Sequence, residues 1–362
     1  MRNEGSKLVR IFLRIRLLVL SLLTTVVIAA CQKTANQLSN GAASIVSPTT
    51  TDCRTIEHVM GETDVCGQPH RIVVLGSYIL EPLIALGMQP VGFGDHFAPH
   101  QGDYTNPNQQ IPYLGRYITQ PLANVGDGFN PSIEAIIQVK PDLILGDNAN
   151  ANQYEILSKI APTLLLDRFA PNAHLRIIAQ AVDRSEQVEQ ILTETDQRIA
   201  SARETLATVI ATYPKALLLG SSQLKKISVY SNSPNTNNQC GSLVEELGFK
   251  LVYPLDFGEV PRASPMPISL EILPQLNEAD LVILFGHNFS KVEQLNGLND
   301  FEAHSLSNLK QAWQESEIAQ SLNASKIGRV YFIPTYLCGG LPGPIGAKFY
   351  LEELKEQLLS SN

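Results

Sequence analysis

A long amphipathic helix over about residues 185–211 constrains the fold of this chain more than any other feature. Its apolar side recurs in steps of three and four residues and consists of Val188, Ile191, Leu192, Thr195, Ile199, Ala202, Leu206 and Val209. Such a stripe is typical of a helix with one buried face. Ser185 is predicted to cap its amino end, and Pro214 ends the pattern. Because strand and helix patterns alternate on both sides of it, we expect this helix to join two α/β lobes with a cleft between them.

Short apolar runs that end in polar or glycine residues predict the strands of both lobes. Before the helix they cover residues 72–75, 90–94, 113–115, 143–146 and 163–166. After it they cover residues 216–219, 227–230, 281–285 and 330–333. Strands that alternate with helices form mainly parallel sheets, and ligands bind such sheets at the carboxyl ends of the strands. The predicted fold class is therefore α/β, with two similar lobes joined by one long helix.

One short pattern occurs at the same place in each predicted lobe. Ser132-Ile133-Glu134 precedes the strand at 143–146, and Ser269-Leu270-Glu271 precedes the strand at 281–285. Each glutamate falls in the first turn of a short helix, where the helix dipole favours a negative charge. The repeat predicts one matched glutamate on each lobe. We place the lobes at residues 53–184 and 213–362, with residues 185–212 as the connecting helix.

The amino-terminal segment has the composition of an export signal. Three arginines precede an apolar run over residues 17–23, and the small residues before Cys31 resemble the bacterial lipobox. We expect residues 1–30 to be a signal peptide, Cys31 to carry a lipid anchor, and residues 31–52 to form a disordered tether. An uncleaved anchor, or ordinary cleavage near residue 30, is the alternative.

The charge balance argues against a nucleic-acid partner. The whole chain carries a net charge of −8 at pH 7, to which the first thirty residues contribute +4, so the remainder carries −12. Domains that bind nucleic acid are typically basic. We therefore expect partners of another kind.

Four cysteines follow Cys31, and an even number in an exported chain favours disulfides. Cys53 and Cys66 flank two short strand-like runs with turn residues at 61–64, so a hairpin would bring them together. The sequence predicts this disulfide, and it supports the remaining pair of Cys240 and Cys338 less directly. It contains no C-x-x-C pair of the kind that structural zinc sites use.

Several motifs, taken in order, resemble the substrate-binding proteins of ABC importers for ferric siderophores and cobalamin. They are Glu57-His58-x-x-Gly61, Arg71-Ile72-Val73-Val74-Leu75, Pro131-Ser132-Ile133-Glu134, Lys140-Pro141-Asp142-Leu143-Ile144 and Gly343-Pro344-Ile345-Gly346. The resemblance runs from about residue 55 to residue 358 and is closest to the ferric-siderophore branch. Cys66 departs from that branch, which often has proline there.

The resemblance implies high-affinity binding of a ferric siderophore, in the periplasm or at the cell surface, and its delivery to a dimeric ABC permease with its ATPase. In this family one glutamate of each lobe docks on the permease, and the matching positions are Glu134 and Glu271. Cobalamin, haem or a free metal ion are the alternative ligands. We expect a monomer with no cofactor, because the iron enters as part of the bound siderophore.

Cationic and aromatic side chains near predicted strand ends are the candidates for the ligand site. They are Tyr78, Arg116, Arg168, Tyr230, Arg262 and Tyr336. The guanidinium fork of arginine matches the carboxylate or hydroxamate oxygens of an anionic siderophore. Tyrosine packs against apolar groups and donates a hydrogen bond.

A bare-metal receptor and an enzyme are the rival interpretations. His96, His100, Asp103 and Tyr104 crowd one loop, but the second lobe offers no matching set of metal ligands. The glycine-rich segment 339–348 opens a helix as phosphate loops do, yet it lacks G-K-[ST]. The sequence also contains no G-x-S-x-G elbow and no H-E-x-x-H motif. We therefore expect a binding protein and not an enzyme.

Overall fold

The computed structural model describes residues 52–96, 100–167, 170–224, 226–231, 239–254, 265–288, 290–291, 295 and 297–360. The strands are β1 Cys53–His58, β2 Gly61–Cys66, β3 Ile72–Leu75, β4 Gly92–Asp95, β5 Ala123–Asp127, β6 Leu143–Asp147, β7 Thr163–Leu166, β8 Lys215–Ser221, β9 Ile227–Val229, β10 Lys250–Leu251, β11 Met266–Ile268, β12 Leu281–Gly286 and β13 Val330–Pro334. The α-helices are α1 Ser77–Ala85, α2 Pro107–Gln110, α3 Ile133–Val139, α4 Tyr154–Leu157, α5 Pro171–Ala181, α6 Val188–Thr212, α7 Gln239–Glu246, α8 Leu298–Glu315, α9 Glu317–Ser321, α10 Asn323–Lys326 and α11 Pro344–Leu359. The predicted signal peptide and the predicted lipidation site Cys31 lie outside the described residues.

The first lobe is built on five parallel strands in the order β5-β4-β3-β6-β7. Every residue of β3, whose sequence is Ile-Val-Val-Leu, is buried. Continuous apolar strands of this kind form where helices cover both faces of a parallel sheet. Four of the five strands predicted for this lobe are confirmed.

The strand predicted at residues 113–115 is wrong. Tyr113 adopts a φ of 58°, which no extended strand allows, and Gly115–Tyr117 forms a 3₁₀ turn. The fifth strand is β5, at the edge of the sheet, with the sequence Ala-Asn-Val-Gly-Asp. Sequence reasoning missed it because an edge strand is only partly buried and needs no continuous apolar run.

The second lobe is built on a six-stranded sheet in the order β11-β9-β8-β12-β13, with β10 also paired to β8. Strands β8, β12 and β13 are parallel, whereas β9 runs antiparallel to β8 and β11 antiparallel to β9. The parallel order β8-β12-β13 matches β3-β6-β7 of the first lobe. The two lobes therefore share a common strand plan, as the sequence repeat predicts.

Helix α6 joins the two lobes and contains 25 residues. Its buried residues are Val188, Ile199, Ala202, Leu206 and Val209. They confirm five of the eight residues of the predicted stripe, and the other three, Ile191, Leu192 and Thr195, are half-buried. The predicted cap at Ser185 is wrong, because a 3₁₀ turn over Ser185–Gln187 precedes the helix and no side chain caps it. One apolar cluster runs from both sheets through α6 and α11, so the lobes share a core on this side.

A separate apolar cluster covers the other face of each sheet. In the first lobe it centres on Val73, Ile136 and Ile144, and in the second lobe it includes Leu217 and Trp313. Within the described ranges, no helix has the length and apolar character needed to cross a bilayer.

Among the described residues two disulfides are present, and both match the predicted pairs. In the β1–β2 hairpin Cys53 lies directly opposite Cys66, and the two sulfurs are bonded. The hairpin turn is at residues 59–60 and not at 61–64, because residues 61–64 already belong to β2. The second disulfide joins Cys240 on α7 to Cys338 in the π-helical turn Tyr336–Gly340 that precedes α11.

Candidate functional site

A cavity of about 550 Å³ opens between the two lobes. The first lobe contributes His100, Gln109, Gln110 and Pro112, and the second contributes Leu295, Gly297, Leu298, Asn299 and Phe301. These segments follow the carboxyl ends of β4 and β12, where open parallel sheets bind their ligands. The volume is that of a small-molecule site, for which about 300–1,000 Å³ is usual.

A pair of hydrogen-bonded side chains forms the first-lobe wall of this cavity. Gln110 accepts from the Asn106 N–H at 2.7 Å, and its Nε2 lies 2.7 Å from His100 Nε2. The same imidazole nitrogen lies 3.1 Å from the Asp103 carbonyl oxygen. The wall therefore presents polar side chains that are held in place by hydrogen bonds.

Beside the cavity lies a recess of about 220 Å³ that contains Arg116 and Tyr113. The Arg116 side chain is exposed, and its guanidinium carbon lies 5.2 Å from the centre of the Phe349 ring of the second lobe. That distance is within the range of a cation–π contact. Arg116 thus supplies a positive charge at the lobe boundary, in the region that the sequence predicts for the ligand.

Tyr113 bridges the lobes at the same place. Its hydroxyl donates to Glu302 Oε1 at 2.7 Å, and its ring stacks on Tyr336 with centroids 5.8 Å apart. Burial, and next the charge of Glu302, raise the pKa of Tyr113 far above its ordinary value, so the phenol stays protonated. A bulky residue at a φ of 58° is strained, and such strain is concentrated at functional sites.

Tyr78, one of the predicted ligand contacts, lies in a buried polar network. Its hydroxyl donates to Asp147 and lies 3.1 Å from His96 Nε2, while its ring stacks on the His96 ring at 4.7 Å. The network therefore connects three segments of the first-lobe sheet, since Tyr78 follows β3, His96 follows β4 and Asp147 ends β6. Only 5% of Tyr78 is exposed.

The other two predicted tyrosines are also interior residues. Tyr230 packs edge-on against Phe285, and its burial raises its pKa to about 12. Tyr336 lies against Phe301 with ring centroids 5.1 Å apart and is 1% exposed. Neither side chain lines the cavity, although Tyr336 supports Phe301, which does. Arg168 and Arg262 lie outside the described residues.

Of the four residues considered for a bare-metal site, His100, Asp103 and Tyr104 lie together, whereas His96 packs on Tyr78. His96 is buried beside Tyr78, whereas His100 reaches the cavity between the lobes. Across the part of the chain that the structure describes, no group of three His, Cys, Asp or Glu side chains is arranged to hold a metal ion.

The matched glutamates are both exposed. Glu134 lies in the first turn of α3, where the Ser132 hydroxyl accepts from the Ala135 N–H at 3.2 Å. Glu271 lies in the first turn of the 3₁₀ helix Leu270–Leu276, and its own N–H and then Ser269 lower its pKa. Glu134 follows β5, which is parallel to β4 in the first-lobe sheet. Glu271 follows β11, which has the same direction as β8 because both are antiparallel to β9. Both carboxylates therefore lie on the carboxyl-end side of the sheets, which is the side of the cavity.

Sequence reasoning missed most of the residues that line the cavity. Gln109 and Gln110 belong to the long connection between β4 and β5, and Asn299 belongs to the first turn of α8. Polar residues of this kind carry no periodic signal. The length of the β4–β5 connection was the one usable hint, because long loops in compact domains are usually functional.

Comparison with known proteins identifies relatives that match nearly the whole chain. Over 360 residues the chain is 26% identical to a probable siderophore-binding lipoprotein of Bacillus subtilis, covering 96% of this chain and 98% of that one. It is also 26% identical to the Fe(3+)-citrate-binding protein of the same organism, over 91% of this chain and 90% of the relative.

Solved structures share the fold. A Staphylococcus aureus protein crystallised with staphyloferrin B matches with a TM-score of 0.64 and 23% identity, over 84% of this chain and 98% of that chain. The Bacillus subtilis triscatecholate siderophore-binding protein, solved with ferri-bacillibactin, matches with a TM-score of 0.61 and 21% identity, over 85% and 98%. The periplasmic binding protein family matches residues 72–337, which cover most of both lobes and all of α6. The chain is therefore a member of the periplasmic binding protein family.

Proposed function

We propose that this protein binds a ferric siderophore outside the cytoplasmic membrane and delivers it to an ABC permease for iron uptake. The observation that carries the proposal is the cavity of about 550 Å³ at the carboxyl ends of both sheets, in a chain of this family. The relatives named for siderophore and ferric-citrate binding cover nearly the whole chain, which supports the same ligand class.

The lining of the cavity suits an oxygen-rich chelate. Amide and imidazole groups of Gln109, Gln110, Asn299 and His100 can bond to hydroxamate, carboxylate or amide oxygens, and Phe301 offers an apolar face. A siderophore already fills the coordination sphere of its iron, so the protein needs to supply no metal ligand. The iron is thus cargo and not a resident cofactor.

Arg116 is proposed to select for negative charge. It is an exposed cation beside the cavity, held against Phe349, and it can turn its fork toward a carboxylate or hydroxamate. Arg168 and Arg262 remain candidates for contact with the ligand on the basis of the sequence alone. Tyr336 is proposed to act behind the surface by supporting Phe301, which lines the cavity, whereas Tyr78 and Tyr230 are not among its lining residues.

Glu134 and Glu271 are proposed to dock on the permease. Both are exposed and stand on the cavity side of their lobes, so a partner that receives the ligand would meet them together. One carboxylate per lobe, matched to basic residues on each half of a dimeric partner, would set the register of the complex and speed encounter.

Lipid anchoring at Cys31 and export by residues 1–30 are proposed from the sequence, and a relative described as a lipoprotein supports them. We keep the proposed lobe boundaries at residues 53–184 and 213–362. We propose that the protein is a monomer. We also propose that it has no catalytic activity, since its family is one of binding proteins.

A calorimetric titration tests the function. The purified protein is titrated with ferric and iron-free forms of a hydroxamate, a catecholate and a citrate-type siderophore, and with haem, cobalamin and Fe³⁺ as competitors. Tight binding of one ferric siderophore supports the proposal. Tight binding of cobalamin, haem or the free ion, with no response to any ferric siderophore, would overturn it. Calorimetry is preferable to tryptophan fluorescence because Trp313 is buried in the outer core of the second lobe.

A further inference from the structure

A fully buried carboxyl group joins the two lobes on the side of α6, away from the proposed ligand cavity. Glu81 belongs to α1 of the first lobe, and none of its surface is exposed. Its Oε1 accepts from the Ile345 N–H at 2.5 Å and from the Gly346 N–H at 3.4 Å. Both N–H groups belong to α11 of the second lobe. The contact therefore crosses the lobe boundary.

The amino end of α11 lacks a cap of its own. Gly343 has no side chain to offer, and Pro344 has no N–H, so the first free N–H groups of this 16-residue helix are those of Ile345 and Gly346. The positive end of the helix dipole lies at the same point. A carboxyl group from the opposite lobe fills the place that a capping residue normally takes.

The chain around this contact is shaped to admit the carboxyl group. A Cβ at Gly343 would come within 1.7 Å of Glu81 Oε2, so glycine is required there by close approach. Gln239 on α7 donates to the Gly343 carbonyl oxygen at 3.2 Å and holds this segment from within the second lobe. A second contact crosses the boundary nearby, where the Ser77 hydroxyl donates to the Gly340 carbonyl oxygen at 3.3 Å.

The surroundings make the contact hard to replace. A cavity of about 170 Å³ borders it, with apolar walls from α5, α6 and α7 that include Leu175, Leu192, Ile199 and Leu243. A helix N–H that loses its acceptor here is left unpaired unless a neighbouring polar side chain such as Gln239 moves to it, and an unpaired buried polar group is unfavourable.

We propose that Glu81 is a positioning residue that fixes the angle between the two lobes. By capping α11 from the other lobe it holds that helix, and the sheet on which it packs, in one orientation to the first lobe. The consequence for uptake, namely a constant spacing of Glu134 and Glu271, rests on the proposed function. The restraint on the angle between the lobes is independent of the proposed function.

Distances between spin labels on the two lobes test this proposal in the absence of any ligand, so that its failure is separate from a failure of the proposed function. The labels are attached at Lys159→Cys, at an exposed site after α4, and at Ile327→Cys, at an exposed site after α10, with both native disulfides intact. Glu81→Leu removes the acceptor and should widen the distance distribution about twofold. Glu81→Gln keeps an acceptor oxygen and should leave the distribution as narrow as in the wild type.

Three further measurements keep the test decisive. Exchange of the Ile345 and Gly346 amide hydrogens should become at least about tenfold faster in Glu81→Leu, because their acceptor is lost. Gly343→Ala, which expels the carboxyl group without removing it, should widen the distribution in the same way and serves if Glu81→Leu does not fold. Glu246→Gln changes another carboxyl group that lines the 170 Å³ cavity and should widen nothing. A distribution as narrow as the wild type in Glu81→Leu or Gly343→Ala, with unchanged amide exchange, would overturn the proposal.

Discussion

Replacement of Glu81 by glutamine should change how the stability of the protein depends on pH. Burial raises the pKa of the Glu81 carboxyl group from 4.5 to about 7, and this effect outweighs the hydrogen bonds from Ile345 and Gly346, which lower the pKa. In the unfolded chain the same group is solvated and titrates near its ordinary value. Between these two pH values the folded protein therefore holds a proton that the unfolded chain has lost.

The sign and size of the effect follow from this difference. Because the folded state binds the extra proton, the stabilisation from Glu81 is complete below pH 4.5 and is lost as the pH rises through about 7. The rise from 4.5 to about 7 corresponds to about 3 kcal/mol, at roughly 1.4 kcal/mol for each pH unit. Glutamine carries no titrating proton. The unfolding free energy of Glu81→Gln, relative to that of the wild type, should thus increase by about 3 kcal/mol between pH 4.5 and pH 8.

Urea unfolding at several pH values, followed by circular dichroism with the disulfides intact, measures this difference. Other carboxyl groups titrate in both proteins and cancel in the comparison. Glu356→Gln, an exposed substitution on α11, is the matched control, and its difference from the wild type should stay within about 0.5 kcal/mol at every pH. A constant difference between Glu81→Gln and the wild type over this range would show that folding does not raise the pKa of Glu81.

Four further predictions concern the disulfide, the cavity, the docking surface and the anchor. Cys53→Ser with Cys66→Ser opens a loop with a sequence separation of 13 and should lower the unfolding free energy by about 3 kcal/mol in denaturant titrations, whereas equal stability of the two forms would argue against a structural role. Arg116→Ala should weaken binding of an anionic ferric siderophore at least about tenfold and Arg116→Lys less, since one charge-assisted hydrogen bond contributes about 1.5–3 kcal/mol; unchanged calorimetric affinity would remove Arg116 from the site. Glu134→Ala with Glu271→Ala should abolish uptake of the radiolabelled ferric complex and leave its affinity intact, and a large loss of affinity would place these residues in the ligand site instead. Cys31→Ser should move the protein to the soluble fraction on membrane fractionation, and continued labelling of that variant with fatty acid would contradict anchoring at Cys31.

Patterns tied to burial could be predicted from the sequence. The spacing of Val188, Ile199 and Leu206 located α6 because a helix with one buried face must repeat at that period. Runs such as Leu281–Gly286 located the central strands because both faces of those strands are covered. The hairpin that joins Cys53 to Cys66 was predictable because local pairing needs only a short turn.

Features set by tertiary contacts could not be predicted. Tyr113 has a strand-forming side chain, yet it takes a φ of 58° as its ring stacks on Tyr336 and its hydroxyl bonds to Glu302 in the other lobe. The capping of α11 by Glu81 joins residues 264 positions apart, so no local pattern records it. Gln109 and Gln110 line the cavity only because a segment of the second lobe faces them, and the sequence near these residues does not record that contact.

The cavity between the lobes, and not the smaller cavity beside α6, is proposed to receive the ferric siderophore. Methyl NMR spectra recorded with the ferric complex and with its gallium counterpart test this directly, because only the ferric ion is paramagnetic and broadens nearby signals. The side-chain methyl signals of Leu295 and Leu298, which line the larger cavity, should broaden with iron and not with gallium. Those of Leu192 and Ile199, beside the smaller cavity, should remain sharp. Broadening of the Leu192 and Ile199 signals while those of Leu295 and Leu298 stay sharp would place the ferric siderophore in the smaller cavity and contradict the proposed site.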